Sequence, residues 1–550
     1  MKTLLLVLLS LFLFCSLPAQ TTISTAQWQE DLRFIQNTVH KDYSFLFVKT
    51  TKEDFDAQVE TLYNAIPNLK EHEIRVGLAR IVSSLKYGHT QIPYGNTARS
   101  GILPINLFHF KDGIYIEGVH KDHKKALGAK VLKIGATPVE KALELIHPVV
   151  PAENEQYFKA YGLRFLASPE VLHAQRVIPE LTNKVTLTLQ KDGKVFNHTF
   201  QTIDIKEKPG AYGFTLPAKD WLTVRNTETT PLYLKHLEDK LYYFEFLEDK
   251  KTLYVRQSSV FNDDEETLKQ FYKRMFEFID THQVEKLVYD VRLNGGGNNY
   301  NNLPLIKGIM ARPKINTVGN FYFIIGRNTF SACQNLTNEI NRYTEAILVG
   351  EPTAENVNFY GDARPLVLPH SKITAYVSYI WWQDMPALEN AKWTAPSIPV
   401  TMSFDEYVNN QDTVLDAALT FDAHNFIPDP MEYITELYVS GQTQKLAVVL
   451  PEMIQDPRYA FCDFETELNM KGNLLLRSGR MQEVQGSIQV FSMITQLFPD
   501  SAMTYKHLGE AYLVLGDTQN ATLYLNKAIA LDADGEFGKA AKAMLQEVRK

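Results

Sequence analysis

Cysteine is scarce in this chain: Cys15, Cys333 and Cys462 are the three in 550 residues, too few for a disulfide scaffold. Metal signatures are missing as well. There is no HExxH and no closely spaced cysteine pair, and His120 with His123 reads as a polar loop. We expect neither a metal nor a cofactor. No Gly-Lys-Ser/Thr follows a glycine run, so a phosphate loop would lack its lysine. Neither sign of charge dominates, Lys+Arg 56 standing against Asp+Glu 64 for a net −8, which argues against nucleic acid as a partner. After the first fifteen residues no long apolar run occurs, and no segment of the mature chain is expected to span a bilayer.

What is present belongs to a globular protein. Hydrophobic residues make up 45% of the chain and charged residues 22%, a balance unlike that of disordered chains. The length accommodates about three or four domains. Lys2 and an apolar run from Leu4 to Phe14 are closed by Pro18-Ala19-Gln20. This reads as a secretory signal over residues 1–20, cleaved near Ala19 or Gln20. Phe14 is too bulky to precede a lipid-carrying Cys15, so no lipid anchor is expected. The mature protein is expected in the periplasm or outside the cell.

Residues 21–100 read as a helical segment, with Trp28, Leu32, Ile35 and Val39 at helical spacing. From 101 to 205 short β-like runs take over, such as Gly113-Ile114-Tyr115-Ile116 and Val185-Thr186-Leu187-Thr188-Leu189. Between them Gly128 to Val139 predicts a strand, a glycine turn and a helix reaching Ile146. Residues 206–427 form a third segment. Strands near 253–255, 286–292, 321–325 and 346–349 alternate there with helices near 265–282, 301–311 and 331–343. Such alternation predicts right-handed crossovers and a largely parallel sheet. Residues 428–550, after Pro428-Asp429-Pro430, read as helical throughout. Gly472, Leu475 and Gly479 are echoed there by Gly509, Tyr512 and Gly516. The later unit resembles a tetratricopeptide repeat, and stacked helix pairs of that kind expose surfaces for a protein partner.

Two strand ends carry the candidate chemistry. Asp290-Val291-Arg292-Leu293-Asn294-Gly295-Gly296-Gly297 places glycines where backbone N–H groups could approach a ligand. Thr329-Phe330-Ser331-Ala332-Cys333 follows the next strand and opens a helix. A serine there stands at the positive end of a helix, where developing negative charge is stabilised. The N–H of Ala332 is one oxyanion donor candidate, and Gly296 and Gly297 are the others. The plainer use of Ser331 is a helix cap. Cys333 is a rival nucleophile, but on a helix it points about 200° away from position 331.

In this order the motifs resemble the tail-specific, or C-terminal processing, serine peptidases, a family that includes the tricorn core protease. The resemblance covers most of 26–400. It rests on Asp290 to Gly297, on Ser331-Ala332, on Gly350-Glu351-Pro352-Thr353, on Leu85 to Thr90 and on Pro396-Ser397-Ile398-Pro399-Val400. Gly128 to Val139 resembles the core of the PDZ-like module these enzymes carry. The resemblance implies a multidomain α/β fold: an N-terminal helical segment, a PDZ-like β insert, a crotonase-like βα spiral core and a C-terminal all-α repeat region. It also implies an exported enzyme that hydrolyses peptide bonds in unfolded proteins or peptides, with a polypeptide as substrate.

A serine needs a base, and the family uses two. The lysine position of the first falls on Asn356, an amide with no lone pair basic enough for the proton, and Lys372 is out of register. The tricorn-like alternative takes a histidine from the helical region and a glutamate from the end of the core. These positions fall on His89, in Tyr87-Gly88-His89-Thr90, and on Glu389, with Asp384 and Glu355 as rivals. The implied triad is therefore Ser331, His89 and Glu389. Three departures stand out: Gly88 replaces a second serine, Ser397 an aspartate, and Gln334 an acidic residue. Two other functions fit the same resemblance. One is an inactive ligand- or protein-binding member, as in the retinoid-binding protein of the photoreceptor matrix. The other is a scaffold acting through the helical repeats.

Overall fold

The computed structural model describes residues 23–548, apart from 211, 390 and 461. The apolar leader expected to be a secretory signal lies outside the described residues. Among them no helix is long and apolar enough to cross a membrane. The chain folds into two compact units, and each is discontinuous in sequence. The first takes in residues up to 230, 354–393 and 403–410, and the second 231–353, 394–402 and 411 onward.

The first unit begins with three amphipathic helices, Thr25–Asp42, Lys52–Ala65 and Glu71–Ser83. Ser24 and Thr51 cap the first two through their side chains. Their apolar stripes, including Trp28, Leu32, Phe55, Val59 and Leu78, are buried. A seven-stranded sheet follows in the order Ile105–Phe110, Gly113–His120, Lys130–Ile134, Lys184–Lys191, Lys194–Gln201, with two short strands off this path. The expected strand, turn and helix are found at Lys130–Ile134, Gly135 and Val139–Ile146, and Gly135 has φ +59°. The β segment is interrupted, however. Residues 147–174 are mostly helical, and the Pro169–Ala174 helix returns to Glu71–Ser83. A hairpin of Phe359–Val367 and Thr374–Trp382 also belongs to this unit.

The second unit is built on a six-stranded sheet. Its order is Ile398–Pro399, Ile347–Gly350, Phe321–Ile325, Lys286–Asp290, Thr252–Gln257, Tyr242–Leu247. Only the last pair is antiparallel, which agrees with the predicted crossovers. Alternate strand residues feed two cores. Leu253, Leu287, Tyr289, Phe321 and Phe323 pack with helices Leu268–Thr281, Leu303–Met310 and Ala332–Tyr343. Tyr254, Val288, Tyr322, Ile324 and Val349 pack with helices from Thr413 onward, reaching Ile494 and Leu508. The C-terminal helices thus cover the second face of the sheet, and a parallel sheet requires both faces covered. The glycine echo has a shared physical use. A Cβ on Gly472 would stand 2.5 Å from Phe491, and one on Gly509 would stand 2.7 Å from Leu525, so each lets its neighbouring helix approach closely. Gly479 and Gly516 are left-handed, at φ +69° and +84°, just past their helices.

Candidate active site

The second unit holds the Ser331 turn. Strand Phe321–Ile325 ends, and helix Ala332–Tyr343 begins immediately after Ser331. Ser331 has φ +56° and ψ −128°, and its side chain makes no capping bond to the helix. A left-handed φ on a residue that carries a Cβ stores strain, and such strain gathers at functional turns. The helix is started by the backbone instead: the Ser331 carbonyl accepts from Gln334 N at 2.7 Å and Asn335 N at 3.1 Å. Ala332 is its first residue, and an N–H at that position has no acceptor within the helix.

The glycine run lies directly against this turn. A Cβ on Gly296, at φ +102°, would fall 2.7 Å from the Ser331 Cβ and 3.0 Å from the Ala332 nitrogen. Only glycine permits that approach. Asn294 organises the loop. Its Oδ1 accepts from Gly296 N at 2.9 Å, its Nδ2 donates to the Gln257 carbonyl at 3.1 Å, and its carbonyl accepts from Phe330 N at 3.2 Å. The Gly296 N–H is therefore committed inside the loop, which removes it from the oxyanion donors expected for Gly296. The Gly296 carbonyl accepts from Val260 N, and Asn298 N donates to the Val260 carbonyl. The peptide groups of Gly297, between them, face the other way.

Below the loop, Arg292 clamps the strand end. Its Nη1 lies 2.7 Å from Asp412 Oδ1 and its Nη2 2.8 Å from Asp290 Oδ2, while Tyr254 donates to the same Asp290 oxygen at 2.8 Å. Gln334, the departure from an acidic residue, is fully buried and donates to Asn338 Oδ1 and Thr394 Oγ1, both at 2.8 Å. A neutral amide suits these two acceptors without bringing a charge into the core. Cys333 is completely buried in the apolar core, which pushes its thiol far up, so it is no rival nucleophile. Cys333 and Cys462 are both free thiols.

His89 belongs to the first unit, in the loop after helix Glu71–Ser83. The loop is held from both sides. Gly88 N donates to Glu153 Oε1 at 2.9 Å, Tyr157 donates to the Gly88 carbonyl at 3.1 Å, and Lys49 pairs with Glu153 at 3.0 Å. Thr90 Oγ1 accepts from Ser378 N at 3.0 Å on the hairpin, and Phe359 stacks on the imidazole, 6.1 Å between centroids. The carboxylate beside the ring is Glu355, fully buried, with Oε1 3.1 Å from His89 Nδ1. Burial alone would lower the His89 pKa. Burial is the largest single influence, but the charge and hydrogen bonding of Glu355, together with the charges of Glu153 and Asp362, outweigh it, and the net direction is upward.

Among the structural neighbours of this chain are proteases. Mature CPAF is similar at a TM-score of 0.45 and 10% identity, over 74% of this chain and 99% of that one. The photosystem II D1 C-terminal processing protease is similar at 0.31 and 11%, over 70% and 96%. The tricorn protease is similar at 0.31 and 12%, over 72% of this chain and 36% of its own. No family model and no curated protein sequence matches the chain.

Glu389 needs correcting as the partner of His89. It is exposed and follows the turn Pro386–Leu388, whereas Glu355 is buried against the ring. The order of motifs could not separate the two, because burial rather than position decides which carboxylate meets the imidazole. Glu153, Tyr157 and Phe359 carried no signal in the sequence. They act through contacts between segments far apart in the chain.

Proposed function

We propose that this protein is an exported serine endopeptidase acting on unfolded polypeptides. The hydroxyl of Ser331 attacks the scissile carbonyl, and His89 accepts its proton and returns it to the leaving amine. Glu355 orients the imidazole and stabilises its charged form. The N–H groups of Ala332 and Gly297 receive the oxyanion at the start of the helix, and water then releases the acyl group from Ser331. One observation carries this reading: the strained φ of Ser331 at a strand–turn–helix junction, packed closely against Gly296. The finer architecture belongs to the same proposal. We read the sheet of the first unit as PDZ-like, the parallel core as a crotonase-like spiral and the last helices as tetratricopeptide-like.

The test is covalent labelling by a fluorophosphonate probe across pH. Wild-type protein should label at Ser331, faster as pH rises through the His89 ionisation. Ser331→Ala should not label, and His89→Ala should label slowly with that pH dependence gone. Unchanged labelling of His89→Ala would remove His89 as the base. A wild-type protein that neither labels nor cleaves an unstructured peptide would favour an inactive binding member.

A further inference from the structure

A second cluster of reactive side chains, unused by the proposed mechanism, joins helices Glu71–Ser83 and Pro169–Ala174 in the first unit. His72 and His173 are each 7% exposed. Their rings meet with His72 Nε2 2.9 Å from His173 Nδ1. Glu73 is the third member, its Oε1 3.9 Å from the same His173 nitrogen and its side chain 9% exposed. One ligand atom from each falls within 4.8 Å of the others, the one such group among the described residues. We propose that His72, Glu73 and His173 bind a divalent transition metal of the zinc class, tying the two helices together.

Two neutral imidazoles placed nitrogen to nitrogen can share only one proton, so one donates and the other accepts. A metal ion engages both lone pairs at once. Two imidazoles with one carboxylate suit zinc better than magnesium or calcium, which take oxygen ligands. The spacing is close to what coordination needs. Ligand nitrogens about 2.0–2.1 Å from a tetrahedral ion stand roughly 3.4 Å apart, so the rings need part by only a fraction of an ångström. Glu73 has two holders at present. Oε2 accepts from Lys70 N at 3.0 Å, and Oε1 faces Arg176 Nη1 at 2.9 Å. The Arg176 side chain is 63% exposed, so it can withdraw into water and yield Oε1 to the ion. Arg176 is thus a competitor of the metal. The pair His123 and His198 also has ring nitrogens 2.9 Å apart, but no third ligand group completes it among the described residues. It serves as an internal control.

The test uses the full chain without tag histidines, stripped by a chelator and titrated with Co²⁺ and then Zn²⁺. One equivalent of Co²⁺ should give visible d–d bands, which Zn²⁺ abolishes, and Zn²⁺ should raise Tm. His72→Ala and His173→Ala should each lose the bands. Arg176→Ala, a surface change, should tighten Co²⁺ binding by up to about fivefold, what freeing Glu73 from one exposed ion-pair partner is worth. The double variant His123→Ala, His198→Ala should bind as wild type. Absence of bands in both the wild type and Arg176→Ala would overturn the site. So would bands that survive His72→Ala and His173→Ala, or that vanish in the control.

Discussion

Main chain, with the one side chain of Asn294, shapes the turn at Ser331: Phe330 N bonds to the Asn294 carbonyl and Val260 N to the Gly296 carbonyl, at the ends of neighbouring strands. Side chains drawn from far along the sequence shape the loop at His89: Glu153 and Tyr157 on Gly88, the Ser378 hydroxyl on Thr90, Glu355 on the ring. A backbone device tolerates new side chains and fails when a glycine gains a Cβ. A side-chain device depends on each partner keeping its charge or hydroxyl. The two regions should therefore respond differently to substitution.

The largest effect should come from Ser331→Ala. Loss of the nucleophile should lower kcat on an unstructured peptide by on the order of 10⁴-fold or more. Alanine bears the same strained φ as serine, and no capping bond is lost, so Tm should stay near wild type. A variant that unfolds would show that the serine hydroxyl, not the backbone, holds the turn.

Glu355→Gln should come next, with kcat down about 10²- to 10⁴-fold, whereas Glu389→Gln should change it less than about twofold, as for an exposed site. The pH profile sharpens the contrast. A base must be neutral, so activity rises with pH through the His89 pKa, which lies above the usual imidazole value of about 6.5. Removing the Glu355 charge should move that midpoint down. The same pair bears on stability. A histidine whose folded pKa is raised stabilises most fully below about pH 6.5 and loses that contribution as pH climbs through its folded pKa. The Tm gap between wild type and His89→Ala should accordingly narrow on the alkaline side. Equal effects of Glu355→Gln and Glu389→Gln would break the assignment.

Gly296→Ala should destabilise by about 1–3 kcal/mol, because the new Cβ would press on Ser331 from 2.7 Å. Labelling of Ser331 should fall with it, since the turn must shift. Denaturant unfolding would measure the first effect and the probe the second. The smallest change is expected at Gly516→Ala, about 1 kcal/mol for a left-handed helix end with open space around it. Thermal unfolding there would show whether the last helices, which have a core of their own, melt with the sheet or apart from it.

Much of the architecture was legible in the sequence. Helix Val139–Ile146 and the alternating elements of 250–350 follow from apolar spacing and glycine placement, which are local properties of the backbone. Ser331 could be placed at a strand–helix junction for the same reason. Its strained φ could not, because a serine before a helix reads equally well as a cap. The helices after residue 428 were legible as helices, yet not as the cover of a sheet face, since an apolar stripe does not name what it packs against.

The sequence by itself determined the elements, their order, the glycines that must stay small and the residue types able to act as nucleophile and base. Tertiary structure alone decided which carboxylate meets His89, that the Gly296 N–H is taken up by Asn294, and that His72 meets His173 across two helices. Periodicity and turn chemistry depend on neighbours a few residues apart. Burial of a charge or a ring depends on what the rest of the chain brings to it, and no local pattern carries that information.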